Sequence, residues 1–101
     1  MKVAYAIEIA RCVVAQLEAL SGAERARILD GIEKQLAHEP LREAKNRKPL
    51  RPNPIAPWEL RLGPLRVFYD VSESGRKIVH VLAIGKKVRN VLRIGGQEIK
   101  L

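Results

Sequence analysis

The sequence is short of cysteine, histidine and aromatic residues, and each shortage excludes something. Cys12 is the single cysteine, so there is no internal disulfide and no thiolate metal cluster. Within its helical pattern it is expected to be a small buried apolar residue. His38 and His80 are the two histidines, and no zinc site or other cofactor is expected. One Trp, two Tyr and one Phe leave the core to Ile, Val, Leu and Ala. No apolar run approaches the ~20 residues of a membrane span. In the N-terminal stretch "MKVAYAIEIARCVVAQLEAL", Glu8 and Arg11 interrupt the apolar residues, against a secretory signal. A cytoplasmic chain forming one domain over 1–101 is expected, with no membrane partner.

Acidic residues are also scarce, but only in one part of the chain. Residues 1–41 carry five Lys/Arg and six Asp/Glu, whereas residues 42–101 carry fourteen and five. The whole +8 formal charge therefore belongs to the second part. Such segregation suits a polyanion binder or a surface matched to an acidic protein. The plain alternative is a solvated basic face.

The patterning gives the element order. Residues 2–9 alternate, with Val3, Tyr5, Ile7 and Ile9 on one face of a strand. Residues 10–20 change to helical spacing, with Val13, Leu17 and Leu20 on one stripe. Ser21-Gly-Ala-Glu24 fits a capping box opening a second helix, whose stripe is Ile28, Leu29, Ile32 and Leu36. The helices form a hairpin that Pro40 ends. Residues 39–57 hold five of the six prolines and read as a connecting segment, not a strand. "WELRLGPLRVFYDV" (58–71) reads as strand, Gly63-Pro64 turn, strand. Val67, Tyr69 and Val71 alternate there with Arg66, Phe68 and Asp70, which favours the core for Tyr69. "IVHVLAI" (78–84) is apolar enough for a central strand covered on both faces. "GKKVRN" leaves it, and the Gly pair of "VLRIGGQEIKL" marks a bend or bulge. The expected class is α+β: an N-terminal strand and an αα-hairpin on a mainly antiparallel sheet of four or five strands, in the order β-α-α-β-β-β.

This order resembles the RelE/ParE family of toxins from bacterial type II toxin–antitoxin systems, over nearly the whole chain. The resemblance is carried by the 58–71 hairpin with an Arg after its turn, by "VLAIGKKVRN", by "NRKPLRPNPIAPWELR" and by "RNVLRIGGQEIKL". It implies a microbial-RNase-like fold and a cognate antitoxin in a hetero-oligomer. For RelE-like members it implies ribosome-dependent mRNA cleavage. For ParE-like members it implies inhibition of DNA gyrase. A weakened member that mainly binds its antitoxin is a third reading.

Metal-free RNA cleavage needs a base for the 2′-hydroxyl proton, cations for the phosphate and an acid for the leaving oxygen. Arg66 matches the family's Arg after the turn and is suited to clamping a phosphate. Lys87 falls where active members often carry an Arg, and Lys86 matches the Lys before it. The chain departs from the family where catalytic lysines fall at Pro57 and Glu59, and where a late Tyr falls at Arg93. Glu59 is then a candidate base and Arg61 and Arg93 candidate cations. The competing reading of Glu59 is a cross-strand ion pair. Arg42, Lys45, Arg47, Lys48, Arg51, Lys86 and Arg89 are expected to meet RNA phosphates. Trp58 is expected to anchor the loop, with a nucleobase platform as the alternative. Structural roles are expected for His38 and His80.

Overall fold

The computed structural model describes residues 4–100. Lys2 and Val3 of the expected first strand, and the final Leu101, lie outside the described residues. The order is β1 (Ala6–Ile9), α1 (Arg11–Glu18), α2 (Gly22–Leu36), β2 (Arg47–Pro49), β3 (Trp58–Leu62), β4 (Leu65–Ser72), β5 (Ile78–Val88), β6 (Val91–Ile94) and β7 (Gln97–Ile99). One sheet holds all seven strands along the path β2-β3-β4-β5-β6-β7, with β1 beside β5. The β1–β5 pair is parallel and the others are antiparallel. β1 runs along Ile78–Val81 and β6 along Gly85–Val88, so the two share one edge of β5.

The α+β class and the helical hairpin are as expected, and so is the capping box. Glu24 N–H donates to Ser21 Oγ at 3.1 Å, and Ser21 N–H donates to Glu24 Oε1 at 3.0 Å. α2 buries Ile28, Gly31, Ile32 and Leu36 against the sheet. A Cβ on Gly31 would sit 2.5 Å from Leu62 Cδ1, so the missing side chain sets how closely α2 approaches β3. Leu29, expected in the stripe, is 47% exposed, because it lies one helical step beyond Ile28. Cys12 is also exposed, on the flank beside buried Val13, with its Sγ 3.7 Å from the Leu82 carbonyl. Ile9 is 40% exposed at the end of β1.

The sheet exceeds the expected four or five strands because short segments pair at its rim. Arg47–Pro49, inside the segment read as a connection, pairs antiparallel with Trp58–Leu60. Pro49 is tolerated because β2 is an edge strand. Past it, Asn53 folds the loop onto the sheet. Its Oδ1 accepts from Ile55 and Ala56 N–H at 2.8 and 3.0 Å, and its Nδ2 donates to the Arg51 and Ala56 carbonyls at 2.7 and 2.9 Å. β5 continues four residues beyond Ile84. Gly85, which read as a strand end, lies inside the ladder where a Cβ would come 2.7 Å from the Arg93 carbonyl. Arg89 and Asn90 then turn the chain with φ of 53° and 65°. Gly95 and Gly96 do the same between β6 and β7, with φ of 60° and 84°. Paired positive φ values suit a two-residue hairpin, since they match the twist of the strands.

A bulge decides which face each β5 side chain takes. Phe68 pairs with Ala83 and Tyr69 with Val81, leaving Leu82 as the extra residue. Val79, Val81 and Ile84 consequently all join the helix-side core, with Leu60, Leu65, Val67 and Tyr69. Ala83 joins Phe68, Ala56 and Leu92 in a smaller cluster on the opposite face.

Candidate functional site

The face away from the helices carries a small charged cleft. Antiparallel pairing sets Arg61 opposite Arg66 and Glu59 opposite Phe68. Period-2 alternation then puts Glu59, Arg61, Arg66 and Phe68 on one side. The Leu82 bulge brings Lys87 to this side as well. Without it, continued alternation from Val79 and Val81 would send Lys87 to the helices. The cleft has a volume of about 310 Å³. Glu59, Arg66, Lys87, Asn90 and Lys100 supply its polar groups, and Leu92 and Ile99 its apolar wall.

Glu59 is 6% exposed, the buried charged residue among those described. Burying a carboxylate is costly unless it is paired. Arg61 Nε donates to its Oε1 at 2.6 Å. The pair also relieves a conflict, since two arginines face to face across a ladder repel. Arg66 turns toward its own hairpin, donating from Nη1 to the Gly63 and Leu65 carbonyls at 2.5 and 3.0 Å. Burial lowers its pKa, the charge of Glu59 acts the other way, and Arg61 lowers it further. An arginine so placed still carries its proton at neutral pH. Its Nε and Nη2 have no partner among the described residues, which leaves them available to an anion. Lys48, the partner of Glu59 on β2, extends the row of cations across the sheet.

Glu59, Arg61, Arg66 and Lys87 are thus brought together, and the cross-strand question for Glu59 resolves to an ion pair along β3 itself. Other expected members are placed elsewhere. Arg93 pairs with Lys86 and Glu98, on the opposite side of β6 from Leu92, and lines the helix-side cavity with Gln16 and Leu20. Lys86 also faces the helices, where its Nζ lies 2.6 Å from Glu24 Oε2. Arg47 donates from Nη1 to the Gln35 carbonyl at 2.8 Å and from Nε to that of Arg42 at 3.1 Å. It holds the segment to the end of α2, where a cation suits the free carbonyls. Arg42 reaches Glu39 at 3.1 Å. Lys45, Lys48, Arg51 and Arg89 are exposed. Asn90 and Lys100 had no sequence signal: Asn90 becomes visible only once β5 is known to reach Val88.

The aromatic residues serve the fold. Tyr69 is fully buried and its Oη donates to the Pro40 carbonyl at 2.6 Å. Burial pushes its pKa far up, with Arg47 opposing. Trp58 stacks on it with centroids 6.1 Å apart, in the anchoring role expected. His80 lies 3.7 Å from Glu8 across the β1–β5 pair.

No protein-family model and no curated protein sequence matches the chain. Among solved structures it is similar to a chain of the toxin–antitoxin complex RelBE2 from Mycobacterium tuberculosis. The match has a TM-score of 0.71 at 22% identity and covers 84% of this chain and 100% of that one. The expected RelE/ParE-like fold is therefore the fold observed.

Proposed function

We propose that the chain is a RelE/ParE-family toxin of a type II toxin–antitoxin system, acting in the cytoplasm on mRNA held by the ribosome. One observation carries the reading beyond the fold. A buried carboxylate lies beneath Arg61, Arg66 and Lys87 in the cleft of the sheet's uncovered face. A lone carboxylate repels RNA, but one ringed by cations suits phosphoryl transfer to an internal hydroxyl.

In this mechanism the incoming phosphate takes over Arg61 and the free nitrogens of Arg66. Glu59, released from its ion pair, accepts the 2′-hydroxyl proton. The 2′-oxygen attacks phosphorus and the bond to the 5′-oxygen breaks. Arg66 and Lys87 stabilise the charge on the equatorial oxygens. The leaving oxygen takes a proton from the Lys87 ammonium. The products are a 2′,3′-cyclic phosphate and a 5′-hydroxyl end. A cognate antitoxin, pairing with this basic face in a hetero-oligomer, neutralises the toxin by covering it.

The test is cell-free translation with mRNA ends mapped by primer extension. Ribosome-dependent cuts that vanish in Arg66→Ala are expected. Intact mRNA and normal translation would overturn the nuclease reading. A second reading, inhibition of DNA gyrase without chemistry, has one observation in its favour: Arg93, at the position of the family's late Tyr, is turned away from the cleft. Loss of supercoiling at saturating protein, with mRNA intact, is its signature.

A further inference from the structure

The geometry points to a second subsite on the same face, a guanine-reading pocket between the 50–57 loop and Asp70. It rests on the RNA-cleavage reading. A cavity of about 420 Å³ opens there, with apolar walls from Leu50, Pro52, Pro57 and Leu82. Its charged groups are Asp70 and Arg51. Asn53 also lines it, but both ends of its amide are occupied within the loop. Asp70 is exposed, and its Oδ1 accepts the Val71 N–H at 2.7 Å. Its Oδ2 has no partner among the described residues. His80, directly across on β5, is directed to Glu8 instead.

An ionised carboxylate accepts hydrogen bonds and donates none. On a surface that binds a polyanion it repels phosphate, so it fits only where donors arrive. The flat apolar walls suit the face of an unstacked base, and single strands are read on such exposed base edges. Guanine alone presents two adjacent N–H donors on its Watson–Crick edge, from N1 and N2. In the other bases each donor has acceptors beside it. Arg51 at the rim is placed for the flanking phosphate. The spacing agrees with one strand occupying both sites. Arg66, Phe68 and Asp70 share a face of β4, so Asp70 stands about 13 Å from Arg66 at ~3.3 Å per residue. A splayed single strand covers that span in about two nucleotides.

The experiment maps cut ends on ribosomes programmed with a library of messages, for the wild-type chain, Asp70→Asn and Arg66→Ala. The wild type is expected to cut with guanine enriched about two nucleotides from the break. Asp70→Asn, with unchanged melting temperature, is expected to lose that preference by about tenfold while still cutting. An equal guanine preference in Asp70→Asn, or none in the wild type, overturns the subsite. Cuts that depend on Arg66 but carry no Asp70-dependent preference overturn it alone. No cutting by the wild type overturns the nuclease reading and the subsite together.

Discussion

The two faces of the sheet are made from the same strands and are built for different ends. The helix side is closed by Val13, Ile28, Ile32 and Leu36 over Leu60, Leu65, Val67, Tyr69, Val79, Val81 and Ile84. The far side buries only Ala56, Phe68, Ala83 and Leu92, beneath a proline-rich loop. The rest of that face is the charged cleft and the cavity beside Asp70. Stability is concentrated on one side, and the other side is left free for charges that a core would not tolerate. β5 serves both because the Leu82 bulge shifts its parity midway, keeping Ile84 inside and bringing Lys87 out.

This contrast can be broken from either side. The largest expected effect is on the cleft: Glu59→Gln should lower the rate of cleavage by about 10²–10⁴ while stability changes little. Single-turnover cutting beside a urea melt checks both, and a large stability loss with normal cutting would make Glu59 a structural residue. On the helix side, Leu60→Ala should cost about 2–5 kcal/mol of unfolding free energy through transfer and cavity terms. Urea denaturation reads it. Gly85→Ala acts on both faces, because its Cβ would meet the Arg93 carbonyl at the β5–β6 pair. A loss of about 1–3 kcal/mol is expected from overpacking. Tyr69→Phe removes the donor to Pro40 and should cost about 1–2 kcal/mol for the acceptor left buried. The smallest effect concerns Lys86. Its hydrogen bond to Glu24, with the Ser21 N–H, lowers the Glu24 pKa below its ordinary 4.5. A lowered folded pKa adds stability that is present above 4.5 and lost as pH falls through the folded value. Lys86→Ala should therefore flatten the acid side of the stability–pH curve and leave cleavage unchanged. A normal acid slope in that variant would show that the pair adds nothing.

Much of the fold was legible in local pattern. The "SGAE" cap, the Ile28/Ile32/Leu36 stripe and the hairpin around Gly63-Pro64 each specify themselves within a few residues. Tyr69 was assignable to the core because β4 alternates without interruption. The site was legible only in part. Arg61 and Arg66 flank one turn, so hairpin pairing alone brings them together. Lys86 and Lys87 are adjacent, and nothing local says which faces the cleft. That depends on a bulge four residues earlier, where two strands fail to keep step. Arg93 misled for a related reason: its face follows from the register of β6 on β5. Arg47 read as one more cation in a basic stretch until the end of α2 supplied carbonyls for it. β2 and β7 were missed because three-residue strands carry too little pattern, and their pairing partners are what define them.

The sequence by itself determined the α+β class, the segregation of charge, the capped second helix and the arginine-bearing hairpin. These rest on periodicity, composition and short-range hydrogen bonding, all of which act between residues close in the chain. Tertiary structure alone decided that Glu59 is buried and paired with Arg61, that Lys87 joins it while Lys86 turns to Glu24, and that Asp70 borders a cavity beneath the proline-rich loop. Those outcomes depend on strand register, and register is fixed by pairing between segments far apart in sequence.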